Sequence, residues 1–153
     1  MTNLKEGDKA PDFIAKDQNG DTVSLSDFKG KNLILYFYPA DDTPTCTKEA
    51  CNFRDNYHSL LSKGFAVIGV SFDNEKSHKK FIKKYDLPFP LLADEDKKII
   101  EAYGVWGEKT TFGKTYMGTH RTTFIIGKDG NILKVIDKVE SKNASQQVLD
   151  VLQ

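Results

Sequence analysis

The sequence predicts an α/β fold in which a mixed central sheet carries helices on both faces, with an N-terminal hairpin as an extension. Three observations carry this. Two continuously apolar runs, residues 33–38 and 65–71, have the length and the β-branched and aromatic content of strands buried on both faces. Amphipathic helical stretches follow each run, the arrangement that joins parallel strands. A late pair of strand-like segments flanks an Asp-Gly turn and adds antiparallel pairing.

The elements follow in order. Residues 12–24 read as a hairpin, because Asn19-Gly20 tolerates the positive φ of a tight turn. The first buried strand, 33–38, is ended by Pro39. A helix is predicted over 44–63: Thr43 is a good N-cap, Pro44 falls at the first helical position, and Gly64 stops it. Its apolar stripe is Cys46, Ala50, Phe53, Tyr57, Leu60 and Leu61, while Lys48, Glu49, Asn52, Asp55 and Asn56 cover the other side. A second strand spans 65–71. The next helix, 75–85, sets His78, Phe81, Ile82 and Tyr85 on one face and Lys76, Lys79, Lys80, Lys83 and Lys84 toward water. The run Leu87-Pro88-Phe89-Pro90 breaks the pattern, and a short helix follows over 96–103. Segments 122–126 and 132–136 form the late hairpin around Asp129-Gly130, and 144–152 is a last helix. Residues 104–120 read as a long loop, of the length that often serves function, whose Trp106, Phe112 and Tyr116 fit either a site border or the core. A thioredoxin-like arrangement fits this order, although periodicity leaves other α/β folds open.

The 153 residues suit one domain, 1–153, of common size. Lys+Arg and Asp+Glu both total 22, so charge gives no reason to expect nucleic acid or an anionic membrane as partner. The longest apolar run is too short to span a bilayer. The first eight residues lack the apolar stretch of a secretory signal, so a cytoplasmic location is expected.

There are two cysteines, Cys46 and Cys51. In a reducing compartment such a pair is more often inert, catalytic or metal-bound than a structural disulfide. Cys46 falls in the first turn of the predicted helix, where free N–H groups and the positive dipole end favour an anion. The thiolate is such an anion and is the form that reacts with peroxides and disulfides. The position also lies just beyond the C-terminal end of a buried strand, where α/β proteins place their chemistry. Because Cys46 shares a stripe with Phe53 and Tyr57, an ordinary core role stays open. Cys51 follows five positions later. On an ideal helix that is a rise of about 7.5 Å and a turn of about 140°, giving Cα atoms roughly 8–9 Å apart. A disulfide needs less than about 7 Å, so an intact helix cannot contain the bond, and oxidation is expected to unwind the helix between 45 and 53. His58, His78 and His120 do not combine with the cysteines at zinc-site spacing, and His78 reads as a packed core residue.

Pro39-Ala40-Asp41-Asp42-Thr43-Pro44-Thr45-Cys46 resembles the Pro-x-x-x-Thr/Ser-x-x-Cys signature of the peroxiredoxins. Cys51 resembles the resolving cysteine of their bacterioferritin comigratory protein, or peroxiredoxin Q, subgroup. Gly104-Val105-Trp106-Gly107-Glu108-Lys109, Tyr116-Met117-Gly118, Arg121-Thr122-Thr123-Phe124 and the opening Gly7-Asp8-Lys9-Ala10-Pro11-Asp12-Phe13 are similar to it as well. The resemblance runs nearly the whole chain in order. It implies a thioredoxin-like peroxidase. Cys46 is then the nucleophile that attacks hydroperoxides, and Cys51 closes an intramolecular disulfide with it. Thr43 hydrogen-bonds peroxide and thiolate, Pro39 shields the pocket, Arg121 stabilises both, and Glu49 orients the arginine. The implied reductant is thioredoxin or a similar dithiol, and no metal, haem or flavin is required. Lacking a third cysteine, a Gly-Gly-Leu-Gly segment and a C-terminal Tyr-Phe, the chain is expected to be an active monomer resistant to overoxidation. A dithiol oxidoreductase is a weaker alternative, since its Cys-x-x-Cys spacing is not present. A peroxide sensor relaying its disulfide to a partner would use the same two cysteines, and a binding module with inert cysteines is a third alternative.

Overall fold

The computed structural model describes residues 2–153. Two strands, β1 (Ile14–Lys16) and β2 (Thr22–Ser24), form the N-terminal hairpin. Its turn is closed by Asp17, whose carboxylate accepts from the Asn19 and Asp21 N–H groups, with Gly20 at φ 79°. Next come β3 (Asn32–Phe37), two helices α1 (Pro44–Asp55) and α2 (Tyr57–Ser62), β4 (Phe65–Ser71) and α3 (Glu75–Tyr85). Then follow β5 (Leu91–Ala93), α4 (Lys98–Ala102), a hairpin of β6 (Trp106–Thr111) and β7 (Lys114–Thr119), the pair β8 (Thr122–Ile126) and β9 (Ile132–Ile136), and α5 (Ala144–Val151).

The central sheet runs β5-β4-β3-β8-β9. Strands β3, β4 and β5 are parallel, and β8 and β9 pair antiparallel, so the sheet is mixed as the sequence predicts. Side chains alternate across it. Ile34 and Tyr36 of β3 enter the core beneath α1, α2, α3 and α5, together with Phe53, Leu60, Phe81 and Val148. Leu33, Leu35 and Phe37 enter the other core, with Ile99 and Ile100 of α4, Tyr103 and Phe124. The middle strand is therefore held by apolar packing on both faces and by backbone bonds on both edges.

Four local features depart from the sequence reading. The helix predicted over 44–63 is broken at Asn56, whose backbone sits at φ −108°, ψ 5°. Both the Asn56 N–H and its side-chain amide donate to the Asn52 carbonyl, so the side chain competes with continued helical bonding. The pair Pro88 and Pro90 precedes a short strand, β5, that periodicity cannot reveal in three residues. The predicted loop 104–120 contains the β6–β7 hairpin, reversed by Phe112 and Gly113 at φ 52° and 77°, the two positive values of a type I′ turn. Finally, α4 is shorter than predicted and starts after Lys97, itself at φ 61°. Among the described residues, no helix is long and apolar enough to cross a membrane.

Candidate functional site

The chain leaves the C-terminal end of β3 through Tyr38 and half-buried Pro39, crosses the loop 40–43 and enters α1 at Pro44. Asp42 takes a left-handed conformation, φ 57°, and its carboxylate accepts from Lys84 Nζ and the Tyr85 hydroxyl, each at 2.7 Å. Thr43 is the extended residue before the helix, and its carbonyl accepts from the Thr47 N–H at 2.8 Å. Its hydroxyl does not cap the helix as the sequence suggests. It donates instead toward the Ala40 carbonyl at 3.4 Å, a long contact that leaves it free for another partner.

Cys46 lies in the first turn of α1 and is only 1% exposed. Arg121 Nη2 donates to its sulfur at 3.2 Å, while Nη1 donates to Glu49 Oε1 at 2.7 Å. Arg121 precedes β8, which pairs with β3, and this adjacency brings a residue 75 positions away onto the thiol. Glu49 stands three residues after Cys46, on the same helical face. The sequence places it on the wet side of the helix, but it has no exposed surface at all. Burial lifts its carboxyl to about 7, against the attraction of Arg121. Its second oxygen, the Tyr36 hydroxyl and the Thr47 hydroxyl are buried without a hydrogen-bond partner among the described residues.

Cys51 is half-buried on the same helix, and both cysteines are free. Burial pushes the Cys51 thiol up, with Arg54 opposing. One residue on, the Asn52 side chain ties α1 to the last helix. It accepts from the Ser145 N–H at 2.8 Å and donates to the Lys142 carbonyl at 3.0 Å. The structure therefore gathers Cys46, Glu49 and Arg121 into one bonded group, places Thr43 and Pro39 on the loop that enters it, and sets Cys51 further along α1. Among the described residues one group could hold a metal ion, since Asp41, Asp73 and His78 offer ligand atoms within 4.8 Å of one another. Those atoms already hydrogen-bond within their own cluster.

A cysteine in the first helical turn after a central parallel strand, bonded by a partly buried arginine, defines a thioredoxin-like thiol peroxidase. Comparisons with known proteins agree. Residues 6–135 match the AhpC/TSA family. Peroxiredoxin Bcp of Bacillus subtilis is 48% identical over 149 residues, covering 97% of this chain and 95% of that protein. Peroxiredoxin Bcp of Escherichia coli is 45% identical over 152 residues, 99% of this chain and 97% of that one. Among solved structures, a Cys-to-Ser variant of Xylella fastidiosa PrxQ has a TM-score of 0.92 at 30% identity, covering 99% of this chain and 97% of that one. The bacterioferritin comigratory protein of Xanthomonas campestris, in a structure concerned with its alkyl peroxide reduction activity, scores 0.85 at 32% identity and covers 92% and 89%. The chain belongs to the AhpC/TSA family, and it is a peroxiredoxin, an oxidoreductase of the thiol peroxidase type.

Proposed function

We propose that Cys46 is the peroxidatic nucleophile and Cys51 the resolving cysteine of a cycle completed within one chain. The Cys46 thiolate attacks one oxygen of a hydroperoxide, hydrogen peroxide or an alkyl hydroperoxide. The O–O bond breaks, Cys46 becomes a sulfenic acid, and the departing oxygen takes up a proton to leave as water or alcohol. Cys51 then condenses with the sulfenic acid, forming the disulfide and releasing water. A dithiol, thioredoxin in this reading, reduces the disulfide by exchange and is itself oxidised.

The observation that carries this reading is the Arg121 guanidinium. One prong lies 3.2 Å from the Cys46 sulfur and the other is anchored on buried Glu49. A cation fixed there, with the first-turn N–H groups of α1, stabilises negative charge at the sulfur and on the breaking O–O bond. Among the described residues the Thr43 hydroxyl hydrogen-bonds the Ala40 carbonyl alone, at 3.4 Å, so it is available to the peroxide. Pro39, half-buried before it, shields the sulfur from water. Burial raises the Cys51 thiol and so favours its protonated form in the reduced chain.

Residues 1–153 are taken as one domain, acting as a cytoplasmic monomer. With two cysteines in all, the resolving step needs no second chain, and a thioredoxin-type reductant requires a reducing compartment. The test is peroxide consumption by wild type, Cys46→Ser and Cys51→Ser, with thioredoxin or dithiothreitol as reductant. Cys46→Ser loses all activity, and Cys51→Ser reacts once with peroxide but does not turn over with thioredoxin. Peroxidase activity surviving in Cys46→Ser overturns the reading.

A further inference from the structure

The loop that leads to the reactive sulfur is pinned from behind by a buried polar cluster which the cycle above does not use. Asp41 is its centre. One carboxylate oxygen accepts from the Tyr38 hydroxyl at 2.6 Å. The other accepts from the Ser77 hydroxyl at 2.7 Å and meets His78 Nδ1 at 2.8 Å. The Asp41 N–H donates to Asp73 Oδ2 at 2.9 Å, and that oxygen also accepts from the Ser71 hydroxyl at 2.7 Å. The His78 side chain is 0% exposed and that of Asp41 is 5% exposed. The second ring nitrogen, Nε2, lies 2.9 Å from the Leu92 carbonyl.

The two ring nitrogens of His78 thus bridge the Asp41 carboxylate and the Leu92 carbonyl, so the ring is held at both ends in a buried, polar setting. Such a pair is costly to desolvate, and an apolar filler of the same volume would often be as stable. What it supplies is a fixed direction, because charge-assisted bonds are short and several converge on one carboxylate.

We infer that Asp41 and His78 are positioning residues for the reaction at Cys46, holding the loop of Pro39 and Thr43 against α3 so that a peroxide meets the sulfur in line. The inference rests on Cys46 being the nucleophile. Neither residue touches the sulfur; they set the path of the backbone. Asp42, the next residue, is tied to Lys84 and Tyr85 of the same helix. Consecutive residues are thus anchored on α3, and only Thr43 separates them from the first turn of α1. In the other direction Tyr38 stacks on Tyr36, with ring centroids 5.5 Å apart, and Tyr36 packs on Phe53 of α1 at 4.9 Å.

The test compares two reactions of the same thiol. Peroxide needs the loop geometry, whereas alkylation by iodoacetamide needs only the thiolate and access to it. In Asp41→Asn the side chain keeps its size but not its charge or its full set of acceptors. The expected result is a fall of about 10- to 100-fold in the rate constant of Cys46 with hydrogen peroxide, as for a small misplacement of reacting groups. The iodoacetamide rate is unchanged. His78→Phe, which keeps a ring but no donors, gives the same split. If Asp41→Asn does not fold, Ser77→Ala removes a single donor and is expected to show the same split at about threefold to tenfold, the size of one lost hydrogen bond. A peroxide rate equal to wild type, or two rates that fall together, overturns the inference. A wild type whose peroxide reaction survives Cys46→Ser sinks the nucleophile assignment instead, so the two failures are distinct.

Discussion

Replacing Glu49 by Gln tests how much stability the site gives up to hold a charge. Glu49 is fully buried, and its carboxyl is raised from an ordinary value of 4.5 to about 7. The unfolded chain thus releases this proton near 4.5 and the folded chain only near 7. Between those values the folded state binds more protons, so stability falls as pH rises, and above about 7 the whole loss is present. The displacement corresponds to about 3 kcal/mol, at ~1.36 kcal/mol for each tenfold step. That net figure already includes the attraction of Arg121, which opposes burial. Gln is neutral at every pH. Glu49→Gln should therefore match wild type near pH 4.5 and gain steadily to about 3 kcal/mol above pH 7, or about 6–12 °C in Tm for a chain of this size. Urea unfolding of both proteins at half-unit steps from pH 4.5 to 8.5 measures it. The same variant should react more slowly with peroxide, because Arg121 loses the anion that anchors its second prong. A stability difference that is flat across this range, or that favours wild type at high pH, refutes the reasoning.

Two further variants test other contacts. Asn52→Ala removes the bonds to the Ser145 N–H and the Lys142 carbonyl, and should cost about 1–2 kcal/mol in thermal or urea unfolding. Since the same bonds hold α1 to α5 beside Cys51, the variant should also pass from sulfenic acid to disulfide faster than wild type; rapid-quench labelling of the remaining free thiol follows that step. Gly69→Ala places a Cβ 2.7 Å from Leu91 Cδ2 and 2.9 Å from the Tyr36 ring and hydroxyl. Overpacking at this point in the middle of the sheet should cost about 1–3 kcal/mol, read as a lower urea midpoint.

Much of this architecture is legible in the sequence because its signals are local. The two apolar runs, Thr43-Pro44 and the Gly64 stop specify β3, the helical stretch that holds α1 and α2, and β4 with no knowledge of the rest. The features that escape are those a local pattern cannot hold. Arg121 is indistinguishable from a surface arginine until β8 is laid beside β3, and only its resemblance to a family motif marks it. Glu49 reads as solvent-facing because a charged residue on a helix usually is, yet here a partner from another element makes its burial tolerable. The break at Asn56 is masked by an apolar stripe that continues through Phe53, Tyr57 and Leu60. The β6–β7 hairpin gives no alternating signal because most of its residues are exposed, and a phenylalanine at a positive-φ turn position is not a turn cue. His78 reads correctly as buried, but its hydrogen-bonding partners come from the Asp41 loop and β5, which sequence order keeps apart.

The division of the core by β3 has a bearing on endurance. If α1 opens to join its two cysteines, the residues it carries into the core, Cys46, Ala50 and Phe53, belong to one apolar layer, while Leu33, Leu35 and Phe37 belong to the other. The strand that launches the helix would then keep its packing on the far face, as a template for the helix to rewind on. Rewinding of residues 45–53 on that template is then expected on the order of a microsecond, the time of helix–coil relaxation.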